Sequence, residues 1–117
     1  MFIIHSVDKT VSIFSDKIKE IKIERSVDTN DFYFATHYII KINNTIICDF
    51  DMNKGTPIIT REEMYKLKDD IVNLLLIDKK YGEGIFKEYH ITTDAKLERI
   101  DIDNNKLNEV KKRLWDN

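Results

Sequence analysis

The strongest constraint on the fold is a pair of β-branched and aromatic runs separated by only two residues. FYFATHYIIKI, residues 32–42, and TIICDFD, residues 45–51, are both typical of β-strands. Asn43 and Asn44 lie between them, and asparagine tolerates the positive φ angles that a two-residue hairpin turn requires. The sequence therefore predicts an antiparallel β-hairpin with its turn at Asn43-Asn44.

The segment after this hairpin carries the best helix signal in the chain. Thr60 is placed to cap a helix, and Glu63, three residues on, completes a capping box. Apolar residues then recur at helical spacing along one face: Met64, Leu67, Ile71, Leu74 and Leu75. Gly82 can end the helix. These features predict a helix over residues 61–79.

The remaining segments predict further strands and a second helix. Short apolar or alternating runs typical of strands occupy residues 2–7, 11–14, 18–26, 85–93 and 97–102. Near the C-terminus, Leu107, Val110 and Leu114 share one helical face. The chain, residues 1–117, is expected to form a single α+β domain. Its predicted architecture is a mainly antiparallel sheet of about five to six strands with two helices packed on one face.

Charge and hydropathy narrow the classes of function. The chain has 19 basic and 21 acidic residues, and its formal net charge is -2. Nucleic-acid binders usually show a basic excess or stripe, whereas here the two signs are interleaved, so no direct contact with nucleic acid is expected. The longest apolar run, residues 74–77, is too short to span a bilayer, and the start lacks the pattern of a signal peptide. We expect a cytoplasmic protein without a membrane partner.

Metal and cofactor sites are not predicted. The segments that begin at Asp49 and Asp101 resemble the start of a calcium loop, but each lacks the glycine and the glutamate that such a loop needs at its sixth and twelfth positions. The three histidines and the one cysteine show no zinc spacing. Cys48 lies in an apolar strand and is expected to be buried. We therefore expect no metal and no cofactor.

One pair of residues leaves an enzymatic alternative open. Glu88 and His90 are two apart on a predicted strand, so they share one face and can form an acid/base pair. With a third group they would serve a small hydrolase or nuclease; otherwise they belong to a solvated strand face. No nucleophile elbow or phosphate-binding loop is present. The main expectation is a protein that is not an enzyme.

Acidic residues gather next to aromatic ones where the predicted strands end. The residues concerned are Asp28, Asp31, Tyr33, Asp49, Phe50, Asp51, Asp101 and Asp103. If the sheet brings these ends together, they form a negative rim that attracts a basic partner and anchors it with aromatic rings. Alternatively they are ordinary charged hairpin ends, neutralised by Lys54, Arg99 or Lys106. The first interpretation makes these eight residues candidate partner contacts.

HYIIKINNTIICDFD, together with the capped helix that follows it, resembles small bacterial immunity proteins of polymorphic-toxin and contact-dependent growth inhibition systems. Several such families carry a strand, an Asn-containing turn, a second strand ending in Asp-Phe-Asp or similar, and then a helix. The likeness covers residues 37–77. Where such families often have Gly in the turn and before the Asp, this chain has Asn44 and Cys48.

The resemblance implies a non-enzymatic inhibitor that is a monomer when free. It would bind the C-terminal domain of a cognate toxin, often a nuclease, one-to-one, and block the active site or substrate path. Against a basic nuclease cleft, acidic side chains would stand in for phosphates and speed association. A phage or mobile-element adaptor that occludes a host protein is a further alternative, which the sequence does not separate from the first.

Overall fold

Seven strands and one α-helix form the described part of the molecule. The computed structural model describes residues 1–30, 33–52, 58–81 and 86–100, and of residues 28–30 and 33–35 the backbone alone. The strands are β1 (Phe2–His5), β2 (Ser12–Phe14), β3 (Ile21–Asn30), β4 (Tyr33–Ile42), β5 (Thr45–Asp51), β6 (Lys87–Ile91) and β7 (Leu97–Ile100). Helix α1 covers Arg61–Tyr81, and a short 3-10 helix covers Ser15–Lys17.

The strands divide between two sheets. One sheet has four strands in the order β2-β1-β6-β7, and the other has three in the order β3-β4-β5. Neighbouring strands are antiparallel except β1 and β6, which are parallel, with Ile4 beside Tyr89 and His5 beside His90. The 3-10 helix and residues 18–20 lead the chain from the first sheet into the second.

The predicted architecture is therefore wrong, although the α+β class holds. Two sheets replace the expected single antiparallel sheet, and the described residues contain one α-helix rather than two. The error lies in strand pairing: β1 and β6 meet from distant parts of the chain, and a non-local pairing of this kind leaves no local pattern in the sequence. The predicted C-terminal helix lies outside the described residues.

The predicted hairpin is confirmed in detail. Asn43 has φ 51° and Asn44 has φ 65°, which are the two positive values that a tight hairpin turn needs. The Asn43 side chain also holds the link between the sheets, because its Oδ1 accepts hydrogen bonds from the backbone amides of Lys19 at 2.8 Å and Glu20 at 3.1 Å. The turn between β4 and β5 thus also positions the entry to β3.

The predicted helix is confirmed as α1, two residues longer than expected at its C-terminal end. The backbone amide of Glu63 donates to Thr60 Oγ1 at 3.2 Å, and the Thr60 hydroxyl donates to the Glu63 carboxylate at 3.1 Å. The fully buried residues of the helix are Met64, Leu67 and Ile71. Among the described residues, no helix is long and apolar enough to cross a membrane.

One hydrophobic core joins both sheets and the helix. Its buried members are Phe2, Ile4, Ile40, Ile42, Ile47, Cys48, Ile59, Met64, Leu67, Ile71, Ile91 and Ala95. A β-bulge interrupts the pairing of β4 with β5 between Ile40 and Lys41, so that Ile47 is an extra residue on β5. The bulge lets Ile47 and Cys48, which are consecutive, both lie buried, as was expected for Cys48.

Candidate partner-binding site

Three of the predicted contact residues lie in one part of the three-stranded sheet. Asp49 and Asp51 occupy alternate positions of β5, on the face away from the core, and Asp51 pairs with His37 of β4. Asp28 of β3 pairs with Ala35, two positions along β4 from His37. The register therefore places Asp28 two positions beyond the last pair of β4 with β5, on the other side of β4.

The other predicted contact residues are not brought to that rim. Tyr33 is the first residue of β4, beyond the end of β5. Phe50 lies between the two β5 carboxylates in sequence, but its side chain packs against the hydrophobic core, on the opposite face of the sheet. Asp31, Asp101 and Asp103 lie outside the described residues.

Asp49 is paired and yet accessible. Its Oδ1 lies 2.9 Å from His37 Nδ1, and its side chain is 46% exposed, against 21% for His37. The imidazole can donate a hydrogen bond to the carboxylate in either charge state, because the neutral ring has one N–H to place at Nδ1. The Asp49 carboxylate is thereby held in position while part of it stays open to a second, external donor.

A groove of about 270 Å³ runs along the edge of β5 and is called the β5 groove here. One wall is residues 46–50, and the other is the β1–β2 turn, residues 6–11. The five consecutive lining residues of β5, which include the bulge at Ile47, show that the groove follows the strand lengthwise. Within the described chain, β5 pairs with β4 alone. The groove therefore exposes an open strand edge.

The β1–β2 turn places a fixed negative charge in the opposite wall. The Asp8 carboxylate accepts hydrogen bonds from the Ser6 hydroxyl at 2.7 Å and from Thr10, through its hydroxyl at 2.7 Å and its amide at 3.1 Å. These bonds, chiefly those from the Thr10 and Ser6 hydroxyls, lower the pKa of Asp8 from 3.8 to about 2. Asp8 is thus ionised throughout the physiological pH range.

Sequence reasoning missed Asp8 as a site residue. The signal was an Asp-x-Thr triplet between two short strands, in which the Asp side chain bonds the amide two residues on. That pattern predicts the turn. Its position beside β5 depends on how the two sheets pack, which the local sequence does not specify.

The lining of the β5 groove combines carboxylates with apolar surface. Asp8 stands in one wall and Asp49 in the other. The apolar lining residues are Val7, Val11, Ile46, Ile47 and Phe50. Arginine and lysine lay their aliphatic stems along apolar surface and direct their charged ends to carboxylates. The groove is therefore complementary to a basic side chain.

Cys48 also borders the β5 groove, where burial lowers the reactivity of its thiol. Burial raises the pKa of its thiol from 9.0 to about 12, so the reactive thiolate is scarce at neutral pH. Among the described residues, no three His, Cys, Asp or Glu side chains are arranged to hold a metal ion.

Glu88 and His90, the predicted acid/base pair, contact different neighbours. Glu88 Oε2 lies 3.4 Å from His5 Nε2, and His5 Nδ1 lies 2.6 Å from Ser12 Oγ. His90 Nε2 lies 3.8 Å from Glu98 Oε2. The outer face of the four-stranded sheet thus carries a chain of contacts from Ser12 through His5 to Glu88.

Comparison with known proteins assigns no family to the chain. No protein-family model matches it, and no curated protein and no solved structure is significantly similar to it. The likeness to immunity proteins therefore stays a prediction carried by residues 37–77.

Proposed function

We propose that this chain is an immunity-type inhibitor that binds the C-terminal domain of a cognate toxin one-to-one through the β5 groove. Binding would cover the toxin's active site or its substrate path. The observation that carries the proposal is that one groove is lined by two acidic residues, Asp8 and Asp49, and by a strand edge that no other described strand pairs with.

The chemistry of the groove favours a basic partner, such as a nuclease with a cationic substrate cleft. Both carboxylates are held by internal hydrogen bonds, Asp8 by Ser6 and Thr10 and Asp49 by His37, so little side-chain ordering remains to be done on binding. Preorganised charge raises the association rate, which an inhibitor needs when it must act before the toxin does.

A cell-protection assay with the toxin domain encoded by the adjacent gene tests the proposal. Co-expression of the chain should restore growth, and calorimetry should show one-to-one binding that weakens with salt. The double variant Asp8→Asn/Asp49→Asn should bind at least tenfold more weakly, because each substitution removes a charge-assisted hydrogen bond.

The chain offers a matched control for that variant. Asp94, in the β6–β7 turn, residues 92–96, also accepts a bond from a neighbouring hydroxyl, but it does not line the β5 groove. Asp94→Asn should therefore leave toxin affinity within about twofold. Equal affinity of the double variant and the wild type would refute the site, and absence of any complex at low salt would refute the function.

A second candidate function is ester hydrolysis on the outer face of the four-stranded sheet. The contact chain from Ser12 to His5 to Glu88 favours it, since His5 can take the proton from Ser12 Oγ as that oxygen attacks the acyl carbon, and can pass the proton to the departing alcohol. A water molecule, deprotonated by His5, would then release the acid and restore the Ser12 hydroxyl. Turnover of p-nitrophenyl acetate that is lost in His5→Ala and kept in His90→Ala would support this role. Turnover equal to the buffer rate would exclude it.

A further inference from the structure

We propose that the partner adds an extended segment of its own chain to β5 as a further strand, and places a basic side chain between Asp8 and Asp49. The identity of the partner rests on the proposed function, whereas the binding mode rests on the geometry of β5 alone. In strand addition, main-chain hydrogen bonds supply affinity and the flanking side-chain pockets supply specificity.

The register of β5 shows which backbone groups face the open edge. The amide of Met52 donates to the carbonyl of Thr36 at 2.8 Å, one step beyond the pairing of Asp51 with His37. Antiparallel pairs alternate between exchanging two hydrogen bonds and exchanging none. Counting back from Met52, the amide and carbonyl of Asp49 are directed away from β4. These two groups lie at the centre of the groove wall.

The opposite wall is suited to the side chains of an added strand. The β1–β2 turn presents apolar surface from Val7 and Val11 and polar groups from Asp8 and Thr10. Alternate residues of an added strand would face the two sides of the groove. A basic residue that faces the turn would reach Asp8, and the residues two positions away, on the same face of the added strand, would pack on the valines.

The two edges of the three-stranded sheet differ in how they resist pairing. On β3, charged side chains recur along the edge and are tied into ion pairs: Lys22 with Glu20 and Glu24 with Lys41, each at 2.9 Å. Charged side chains are a common protection of sheet edges. On β5 the corresponding stretch begins with Thr45 and with Ile46, which is 47% exposed. The β5 edge is the less protected of the two.

Charge argues for a basic partner segment and against a second copy of this chain. Pairing β5 with the β5 of another copy would bring two sets of Asp8 and Asp49 together, and like charges opposed across strands are destabilising. A segment with one central Arg or Lys meets the same groove with opposite charge.

An NMR titration with a synthetic peptide tests this inference without the toxin. The probe is an acetylated heptapeptide of alternating valine and threonine with a central arginine, added at millimolar concentration. We expect shifts in the amides of residues 46–50 and 7–11, and at least tenfold slower hydrogen exchange at the Asp49 amide. Replacing the central arginine by glutamate should weaken binding at least tenfold.

Two N-methylated versions of the heptapeptide provide the matched control. One is methylated at its odd-numbered amides and the other at its even-numbered amides, so only one loses the bonds that face β5. Binding by one version and not the other supports strand addition. Equal binding by both, no shift at Asp49 at millimolar peptide, or Asp49 protection that grows with protein concentration alone would each overturn it.

Hydrogen exchange measured in a complex with the toxin domain distinguishes a failure of strand addition from a failure of the inhibitor function. A stable complex in which the Asp49 amide still exchanges freely would overturn strand addition and leave the inhibitor role standing. Peptide binding at β5 with no toxin complex would overturn the inhibitor role and leave the edge as a docking site for another basic partner.

Discussion

The β1–β2 turn and the β6–β7 turn share one hydrogen-bond pattern in different surroundings. In the first, the Ser6 hydroxyl donates to Asp8, and in the second, the Thr92 hydroxyl donates to Asp94. Each hydroxyl also accepts a bond from a backbone amide farther along its turn, at 3.1 Å and 3.0 Å respectively. The two turns are therefore the same local solution, formed twice from hydroxyl-x-Asp triplets.

What differs is the tertiary environment of each turn. Lys9 and Ala95 occupy the same left-handed position, with φ 62° and 59°, but Lys9 is exposed and Ala95 is buried in the core. The β1–β2 turn faces the open edge of β5, whereas the β6–β7 turn packs beside α1 across a cavity of about 260 Å³. A similar turn, one residue longer in the β1–β2 case, thus becomes a groove wall in one place and a core contact in the other.

The largest expected effect concerns Cys48, the buried thiol that borders the groove beside the β1–β2 turn. Because its pKa is raised from 9.0 to about 12, alkylation by iodoacetamide at pH 8 should be roughly 10³-fold slower than that of an unstructured cysteine. The rate, followed by mass spectrometry, should still rise above pH 9. Addition of urea should restore fast reaction. If the alkylation rate in the native protein lay within tenfold of the rate in urea, the burial of Cys48 would be contradicted.

Ser6→Ala and Thr92→Ala compare the two turn hydroxyls directly. Ser6 is only 3% exposed, so loss of its hydroxyl leaves the part-buried Val11 amide without its acceptor and should lower the free energy of unfolding by about 1–3 kcal/mol. Thr92 is only half-buried, and the same change should cost about 0.5–1.5 kcal/mol, since water can replace the bond. Urea denaturation measures both. Equal losses would show that burial does not distinguish the turns.

Lys9→Gly and Ala95→Gly compare the two left-handed residues. A non-glycine residue at positive φ costs about 1–2 kcal/mol in the folded state, and glycine removes that cost. Glycine also increases the conformational entropy of the unfolded chain, which offsets part of the gain. Lys9→Gly should therefore raise the free energy of unfolding by about 0.5–1 kcal/mol. Ala95→Gly should gain almost nothing, because it also removes a buried methyl worth about 0.8 kcal/mol. Equal gains in thermal melts would mean that Ala95 contributes no packing.

The smallest expected effect is on the acid limb of the stability profile. The pKa values of Asp8 and Asp94 are both lowered in the folded state, chiefly by hydroxyl hydrogen bonds, Asp8 from 3.8 to about 2. The unfolded chain then binds protons first as pH falls, so each carboxylate's contribution is complete about one pH unit above the unfolded pKa of 3.8 and declines below it, for Asp8 toward pH 2. Asp8→Asn and Asp94→Asn should each flatten stability between pH 4 and pH 2. An unchanged profile in both would contradict these turn bonds.

Much of the local structure could be predicted from the sequence because it depends on near neighbours. The Asn43-Asn44 turn and the Thr60 cap rest on backbone preferences and on bonds across at most three residues. The parallel pairing of β1 with β6 could not, since it joins residues such as His5 and His90 that only the shared core brings together. This missed pairing is the reason why the sequence predicted one sheet, whereas the structure has two.

In the candidate site, too, some features follow from the local sequence and others only from the tertiary structure. The sequence by itself determined that Asp49 would lie in the second strand of the hairpin, because the Asn43-Asn44 turn depends on spacing along the chain. The Asp8 turn depends on local spacing too, although sequence reasoning did not single it out. Only the tertiary structure decided that Asp8 and Asp49 line one groove along the edge of β5, and that Phe50 also packs against the core. The physical reason is the packing of two sheets and one helix on a common apolar core, which sets the distance between distant segments and leaves no trace in either segment alone.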